Sequence, residues 1–140
     1  MFNKETEYAL RGLVYIQLQN LKGHRPGMTE IAKEIDAPHF YVAKILNRMV
    51  KYGFVASLKG KGGGFYFETE KPEITLKELI EFTEGTRTIT GCGFGLKQCR
   101  DDSPCPIHEK FAPIREEINS LISNETILSL AKRYYVNTAP

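Results

Sequence analysis

No apolar run in this 140-residue chain approaches the roughly 18 residues that a membrane-spanning helix needs, so the sequence predicts no membrane span. The opening residues, Met1-Phe2-Asn3-Lys4-Glu5, lack both the basic start and the apolar centre of a secretory signal, and the expected location is cytoplasmic. Cysteine is scarce. Three residues, an odd number, cannot all pair within one chain, and in a reducing compartment they read as metal ligands or reactive thiols. Also missing is any paired acid/base or activated-nucleophile pattern: serines and histidines occur singly, and His24 and His39 read as loop and helix-surface residues. The chain is therefore not expected to be an enzyme. With 41% hydrophobic and 26% charged residues, global disorder is excluded, and the length suits one domain or one domain with a docking or dimerisation arm.

Acid is absent where base is concentrated. Positions 38–67 hold Lys44, Arg48, Lys51, Lys59 and Lys61 and no Asp or Glu. Residues 1–71 carry 11 Lys/Arg against 7 Asp/Glu, whereas residues 72–140 carry 8 against 10. A solvated lysine face would account for the charge alone. Its place in the chain points to a surface for a polyanion.

Residues 5–21 place Ala9, Leu10, Leu13, Val14, Ile16, Leu18 and Leu21 at a near-helical period. The segment 22–27, rich in Gly and Pro, ends that run. A short helix follows, with Thr29 as expected cap and Ile31, Ala32 and Ile35 facing inward. After the turn at Asp36-Ala37, Pro38 opens a helix over His39 to Tyr52, where its missing N–H costs nothing. There Val42, Ile45, Leu46, Met49 and Val50 form a core stripe, and Tyr41, Lys44, Arg48 and Lys51 fall on the other side. Two short helices joined by a tight turn, the second half apolar and half basic, describe a helix-turn-helix. Gly53 should end the helix. Phe54–Leu58 and Phe65–Glu68 read as paired strands around a tip of two lysines and four glycines, Lys59 to Gly64. Such a hairpin is a wing, whose glycines permit close backbone approach to phosphates and whose lysines neutralise them.

A further helix over 75–84 carries the capping-box spacing Thr75-Leu76-Lys77-Glu78. An irregular stretch from Gly85 to about Pro106 holds all three cysteines. Beyond it Ile107, Phe111, Ile114, Ile118, Leu121 and Ile122 form a heptad-like seam, interrupted by Pro113, and a short helix over about 126–134 precedes a frayed end. The cysteine spacing is C-x6-C-x5-C-x2-H, from Cys92 through Cys99 and Cys105 to His108. Without a C-x2-C knuckle, an ordinary structural zinc site is disfavoured. Spread cysteines in a glycine-rich loop better suit an iron–sulfur cluster.

In order along nearly the whole chain, the segment Thr6-Glu7-Tyr8-Ala9-Leu10-Arg11, the helix around Tyr41, the wing Lys59-Gly60-Lys61-Gly62-Gly63-Gly64-Phe65, the three-cysteine loop and the seam helix are similar to winged-helix bacterial transcription regulators of the IscR/NsrR (Rrf-type) family. The resemblance implies a homodimeric DNA-binding transcription factor. Many members carry one iron–sulfur cluster per subunit and sense cluster supply, nitric oxide or redox state. It implies Cys92, Cys99 and Cys105 as cluster cysteines and His108 as the histidine ligand of the cluster-biogenesis branch. Glu7 matches the place where some members supply a carboxylate, in the nitric-oxide branch from the partner subunit's first helix. The first cysteine spacing is x6 where both branches usually have x5, an extra loop residue that is easily absorbed.

The expected fold is mainly α with a small β-hairpin wing: a winged helix-turn-helix domain over 1–84, a cysteine-bearing cluster loop over 85–106, and a dimerisation helix with a short last helix over 107–140. The expected function is a DNA-binding regulator, a repressor, controlled by a cluster, 2Fe–2S ahead of 4Fe–4S, that protein handled in air can lose. The expected partners are a palindromic double-stranded operator and a second copy of the chain. Phe40, Tyr41, Ala43, Lys44, Arg48, Lys51, Lys59, Gly60, Lys61 and Gly62 are the expected DNA contacts, and Ile114, Ile118, Leu121 and Ile122 the expected dimer seam. The alternative is an iron-free winged-helix regulator whose cysteines act as a thiol switch or bind zinc. A small electron carrier or redox enzyme is the reading from another class, and it leaves the basic helix and wing without a purpose.

Overall fold

A computed structural model describes residues 2–97 and 100–138. Cys99, read above as a cluster ligand, lies outside the described residues. Seven helices and one two-stranded hairpin are present among them: α1 (Lys4–Leu21), α2 (Met28–Glu34), α3 (His39–Tyr52), β1 (Ala56–Leu58), β2 (Gly64–Tyr66), α4 (Leu76–Glu84), α5 (Arg87–Thr90), α6 (His108–Asn124) and α7 (Ile127–Thr138). The fold is thus mainly helical with an antiparallel hairpin, as the sequence predicts. None of the described helices is long and apolar enough to cross a membrane.

The chain forms two compact units, one of residues up to Ile74 with the segment from Thr126, the other Thr75–Glu125. The first is built on α1. Its N-terminus is capped by Asn3, whose side chain accepts from the Thr6 N–H at 2.8 Å. Ala9, Leu13, Ile16 and Leu18 on α1 are buried, as are Ile31 and Ala32 on α2 and Val42, Ile45, Leu46 and Met49 on α3. Leu21, expected to be part of the α1 stripe, is 45% exposed in the helix's last turn. The last helix returns to α1 and closes this unit, joined by an Ile127 N–H to Ile74 carbonyl bond of 2.8 Å. It runs to Thr138, one turn past the end expected from the sequence.

Three local features differ from those expectations. Gly27, not Thr29, stands at the α2 N-cap, and no side chain caps that helix; Thr29 lies in its first turn, with its hydroxyl 3.4 Å from His39 Nε2. The stretch from Gly85 to Pro106 is not irregular throughout, because Arg87–Thr90 makes one helical turn that buries Ile89. Pro113 does not delimit α6: the helix begins at His108 and passes through it.

The second unit packs α6 with α4 and α5. Thr75 caps α4 by accepting from the Glu78 N–H at 3.1 Å, as the capping-box spacing requires. Among its described residues, Leu76, Leu79, Ile80, Ile89, Cys105 and Ile122 are buried.

Candidate nucleic-acid interface and cysteine site

The helix-turn-helix is α2 and α3. A left-handed Gly53 (φ 96°) ends α3, its N–H reaching the Met49 and Val50 carbonyls. With Val42, Ile45, Leu46 and Met49 turned into the core, the opposite face of α3 is left to solvent. Phe40 is 81% exposed, Tyr41, Lys44, Arg48 and Lys51 are exposed, and Ala43 is half-buried. Two of these side chains are held from α1. The Tyr41 ring packs edge-on against Tyr8, with centroids 5.4 Å apart, and Arg48 is ion-paired with Glu5. Nothing in the residue pattern announces the second contact, since its partners are 43 positions apart.

The hairpin pairs Ala56 with Tyr66, Ser57 with Phe65 and Leu58 with Gly64. Lys59, Gly60, Lys61 and Gly62 are exposed at its tip, and Gly60 and Gly62 adopt positive φ. The root is fastened to the body of its unit. The Phe65 N–H donates to the Pro26 carbonyl at 2.8 Å, and Asn20 serves β2 like a strand edge, its amide N–H donating to the Phe65 carbonyl and its oxygen accepting from the Phe67 N–H. A side chain at Gly64 would collide with the Arg25 carbonyl. The Arg25 guanidinium lies 4.2 Å from the Tyr66 ring centroid, close enough for a cation–π contact. Sequence reading missed Asn20 and Arg25 because their partners are distant along the chain.

Of the cysteine-site residues, Cys92, Cys105 and His108 all belong to the Thr75–Glu125 unit. Cys92 sits in a turn, Cys92 to Leu96, whose Gly95 takes φ 93° and donates its N–H to the Cys92 carbonyl. The N–H of Leu96 favours the Cys92 thiolate most; the N–H groups of Phe94 and Gly95 and a hydrogen bond from Cys105 act in the same direction. Together they outweigh desolvation and bring the thiol down to about 7. Arg87 braces this turn by donating to the Gly95 and Leu96 carbonyls, both at 3.2 Å. Gly93 lies so close to the Phe111 ring on α6 that a Cβ there would meet it at 2.9 Å.

Cys105 is buried, and its carbonyl accepts the His108 N–H at 3.1 Å, so thiol and imidazole share the turn that starts α6. His108 Nε2 lies 2.7 Å from Asp101 Oδ1. Two soft sulfurs in hydrogen-bonding contact, with amide N–H groups around one of them and an imidazole a turn away, are donors of the kind that fit an iron–sulfur cluster. Among the described residues alone no group of three or more His, Cys, Asp or Glu is assembled for a single metal ion. Glu7 belongs to the other unit, on α1, and pairs with Lys4 at 3.4 Å.

On the seam helix the four expected residues divide. Ile114 and Leu121 are 54% and 59% exposed, and Ile118 is half-buried. Ile122 is 2% exposed within the single chain, so it belongs to its own unit's core and not to a face offered to a partner. Adjacent positions on a helix point about 100° apart, which is why Leu121 and Ile122 cannot serve the same surface.

Comparison with known proteins agrees with this architecture. The chain is 30% identical over 132 residues to a helix-turn-helix-type transcriptional regulator of Aquifex aeolicus, covering 93% of this chain and 90% of that one. It is 25% identical over 123 residues to the regulator IscR of Serratia proteamaculans, covering 88% and 74%. Among solved structures it resembles CymR, the global cysteine regulator of B. subtilis (TM-score 0.74, 19% identity, covering 95% and 97%). It also resembles IscR of T. potens (TM-score 0.73, 16% identity, covering 100% and 92%). Residues 2–133 match the model of the family described as iron-dependent transcriptional regulators, and this DNA-binding, non-enzymatic chain belongs to that family, Rrf2.

Proposed function

We propose that the chain is a homodimeric repressor whose affinity for a palindromic operator is set by an iron–sulfur cluster. The observation that carries this reading is the meeting of Cys92 and Cys105, within the same compact unit as His108, in a loop that also contains Cys99. Cys92, Cys99 and Cys105 would hold the cluster through their thiolates. His108 is the fourth ligand in this proposal, because it shares the Cys105 turn. Glu7 is the rival, as the carboxylate implied by its match to the family. When bound, a cluster of this kind, 2Fe–2S ahead of 4Fe–4S, supplies an iron centre that responds to oxidants and to nitric oxide. The chain's own part is to favour the Cys92 thiolate near neutral pH, to brace its turn through Arg87, and to offer a nitrogen ligand that leaves more readily than a thiolate.

The DNA surface in this reading is the exposed face of α3, with Phe40, Tyr41, Ala43 and Lys44 in the major groove. Arg48, Lys51, Lys59 and Lys61 meet phosphate, and Gly60 and Gly62 let the wing approach. Ala43 cannot hydrogen-bond a base, so specificity there comes from contact with a thymine methyl or from its neighbours. One chain presents one recognition helix, and a two-fold dimer presents two to a palindrome. Ile114 and Leu121, two turns apart and exposed, with Ile118 between them, are the face such a dimer would cover.

A second reading has one observation in its favour. The lowered Cys92 thiol in contact with Cys105 also suits a thiol switch without iron, or a zinc site completed by further ligands. Anaerobic purification with iron and sulfide counting separates the two. Stoichiometric iron and sulfide, lost in Cys92→Ala and Cys105→Ala, supports the cluster; their absence from the wild-type protein rejects it.

A further inference from the structure

We propose that Asp101 is a positioning residue for His108, holding Nε2–H so that the imidazole presents Nδ1 as its ligating nitrogen. This rests on the iron–sulfur reading above and adds to it an orienting group and a choice of ring atom.

The geometry is specific. Asp101 Oδ1 lies 2.7 Å from His108 Nε2. The His108 side chain is 12% exposed while that of Asp101 is 100% exposed, so the carboxylate meets the ring from the solvent side. The neighbouring acid is otherwise engaged: Asp102 receives both Nε and a terminal nitrogen of Arg100, at 2.8 and 2.6 Å. Of two adjacent carboxylates, one is neutralised by arginine and the other is directed at the imidazole.

A wholly exposed carboxylate on a histidine contributes little to folding. As a fixer of tautomer its effect is larger. A carboxylate accepts and does not donate, so Nε2 carries the proton and Nδ1 carries the lone pair. Outer-shell carboxylates of this type orient histidine ligands and make them more basic. A negative charge beside the ligand also favours the oxidised centre, which lowers its reduction potential.

The test uses the 140-residue chain reconstituted anaerobically with iron and sulfide. Asp101→Ala, Asp101→Asn and His108→Ala are compared with wild type by iron content, redox titration and pulsed electron paramagnetic resonance of the reduced protein. Histidine labelled with 15N at one ring position identifies the coordinating nitrogen. Strong coupling from Nδ1 of His108 is expected in the wild type. Asp101→Ala should hold iron about 10–100-fold more weakly and have a raised potential. Asp101→Asn keeps an oxygen acceptor for Nε2–H, so it should recover iron uptake while its potential stays raised, a split that a merely structural residue would not produce. Coupling from Nε2, or wild-type iron retention and potential in Asp101→Ala, overturns the proposal. The failures of the underlying reading look different: a wild type that takes up no iron removes the cluster, and a cluster without histidine coupling removes His108 as ligand.

Discussion

Arg48, on the solvent face of α3, is ion-paired with Glu5 in the first turn of α1. The pair ties α3 to α1 at one point, and the Tyr8–Tyr41 edge contact ties it at another. On the proposed DNA surface, Glu5 would compete with phosphate for the same guanidinium. An exposed or half-exposed pair is worth up to about 1 kcal/mol, or roughly fivefold in affinity. Glu5→Gln should therefore tighten operator binding up to about fivefold, on all sequences alike, whereas Arg48→Ala should weaken it. Fluorescence anisotropy on specific and scrambled duplexes checks both. Unchanged affinity in the two variants would remove Arg48 from the DNA surface.

The wing lysines make a prediction in salt rather than in sequence. Replacing Lys59 and Lys61 together by Ala should weaken binding to every duplex. It should also reduce the slope of log K against log salt by about 0.9 for each phosphate that the wing no longer neutralises. A double variant with the wild-type slope would show that the tip does not touch the backbone.

Ile118 and Ile122 should respond differently to substitution. Ile118→Glu places a charge on the proposed dimer face and should give soluble, folded monomers by light scattering, with operator binding abolished. Ile122→Ala removes packing from a 2% exposed site and should lower unfolding free energy by about 2–5 kcal/mol without changing the oligomeric state of the folded protein. A dimeric Ile118→Glu variant would refute the α6 face.

Cys92 should be the more reactive of the two described cysteines in cluster-free protein. Its folded value, about 7, lies below that of an ordinary thiol, so the thiolate is present at neutral pH and disappears as pH falls through that value. The sign for stability follows: the depressed thiol stabilises the fold above its unfolded value, and that contribution disappears on acidification through about 7. Alkylation followed by mass spectrometry should show Cys92 modification rising through pH 7 and Cys105, which is buried, modified more slowly. Equal rates at both would contradict the arrangement of N–H groups around Cys92.

Features governed by local chemistry were legible in the sequence. Thr75 caps α4 where the box spacing placed it, Gly53 takes the left-handed conformation that ends α3, and the glycine-rich tip folds into a two-stranded wing. What escaped depends on distance along the chain. The return of α7 to α1, the Asn20 clamp on β2 and the Glu5–Arg48 pair join residues tens of positions apart, and no periodicity announces them. The seam on α6 was legible as apolar but not as two faces, because a heptad pattern does not say which of Leu121 and Ile122 turns inward. At the cysteine loop, spacing named only candidate ligand types. It could not show that the chain folds back to set Cys105 against Cys92 and Asp101 against His108.

Control of DNA binding by a cluster is tested most directly by operator affinity measured anaerobically on one preparation, before and after removal of the cluster, with iron and sulfide counted in each state. The expected result is iron and sulfide in the intact protein, neither in Cys92→Ala, and operator dissociation constants that differ between the two states by at least about tenfold, or roughly 1.4 kcal/mol. Iron-free wild-type protein, or the same dissociation constant with and without the cluster, would contradict it.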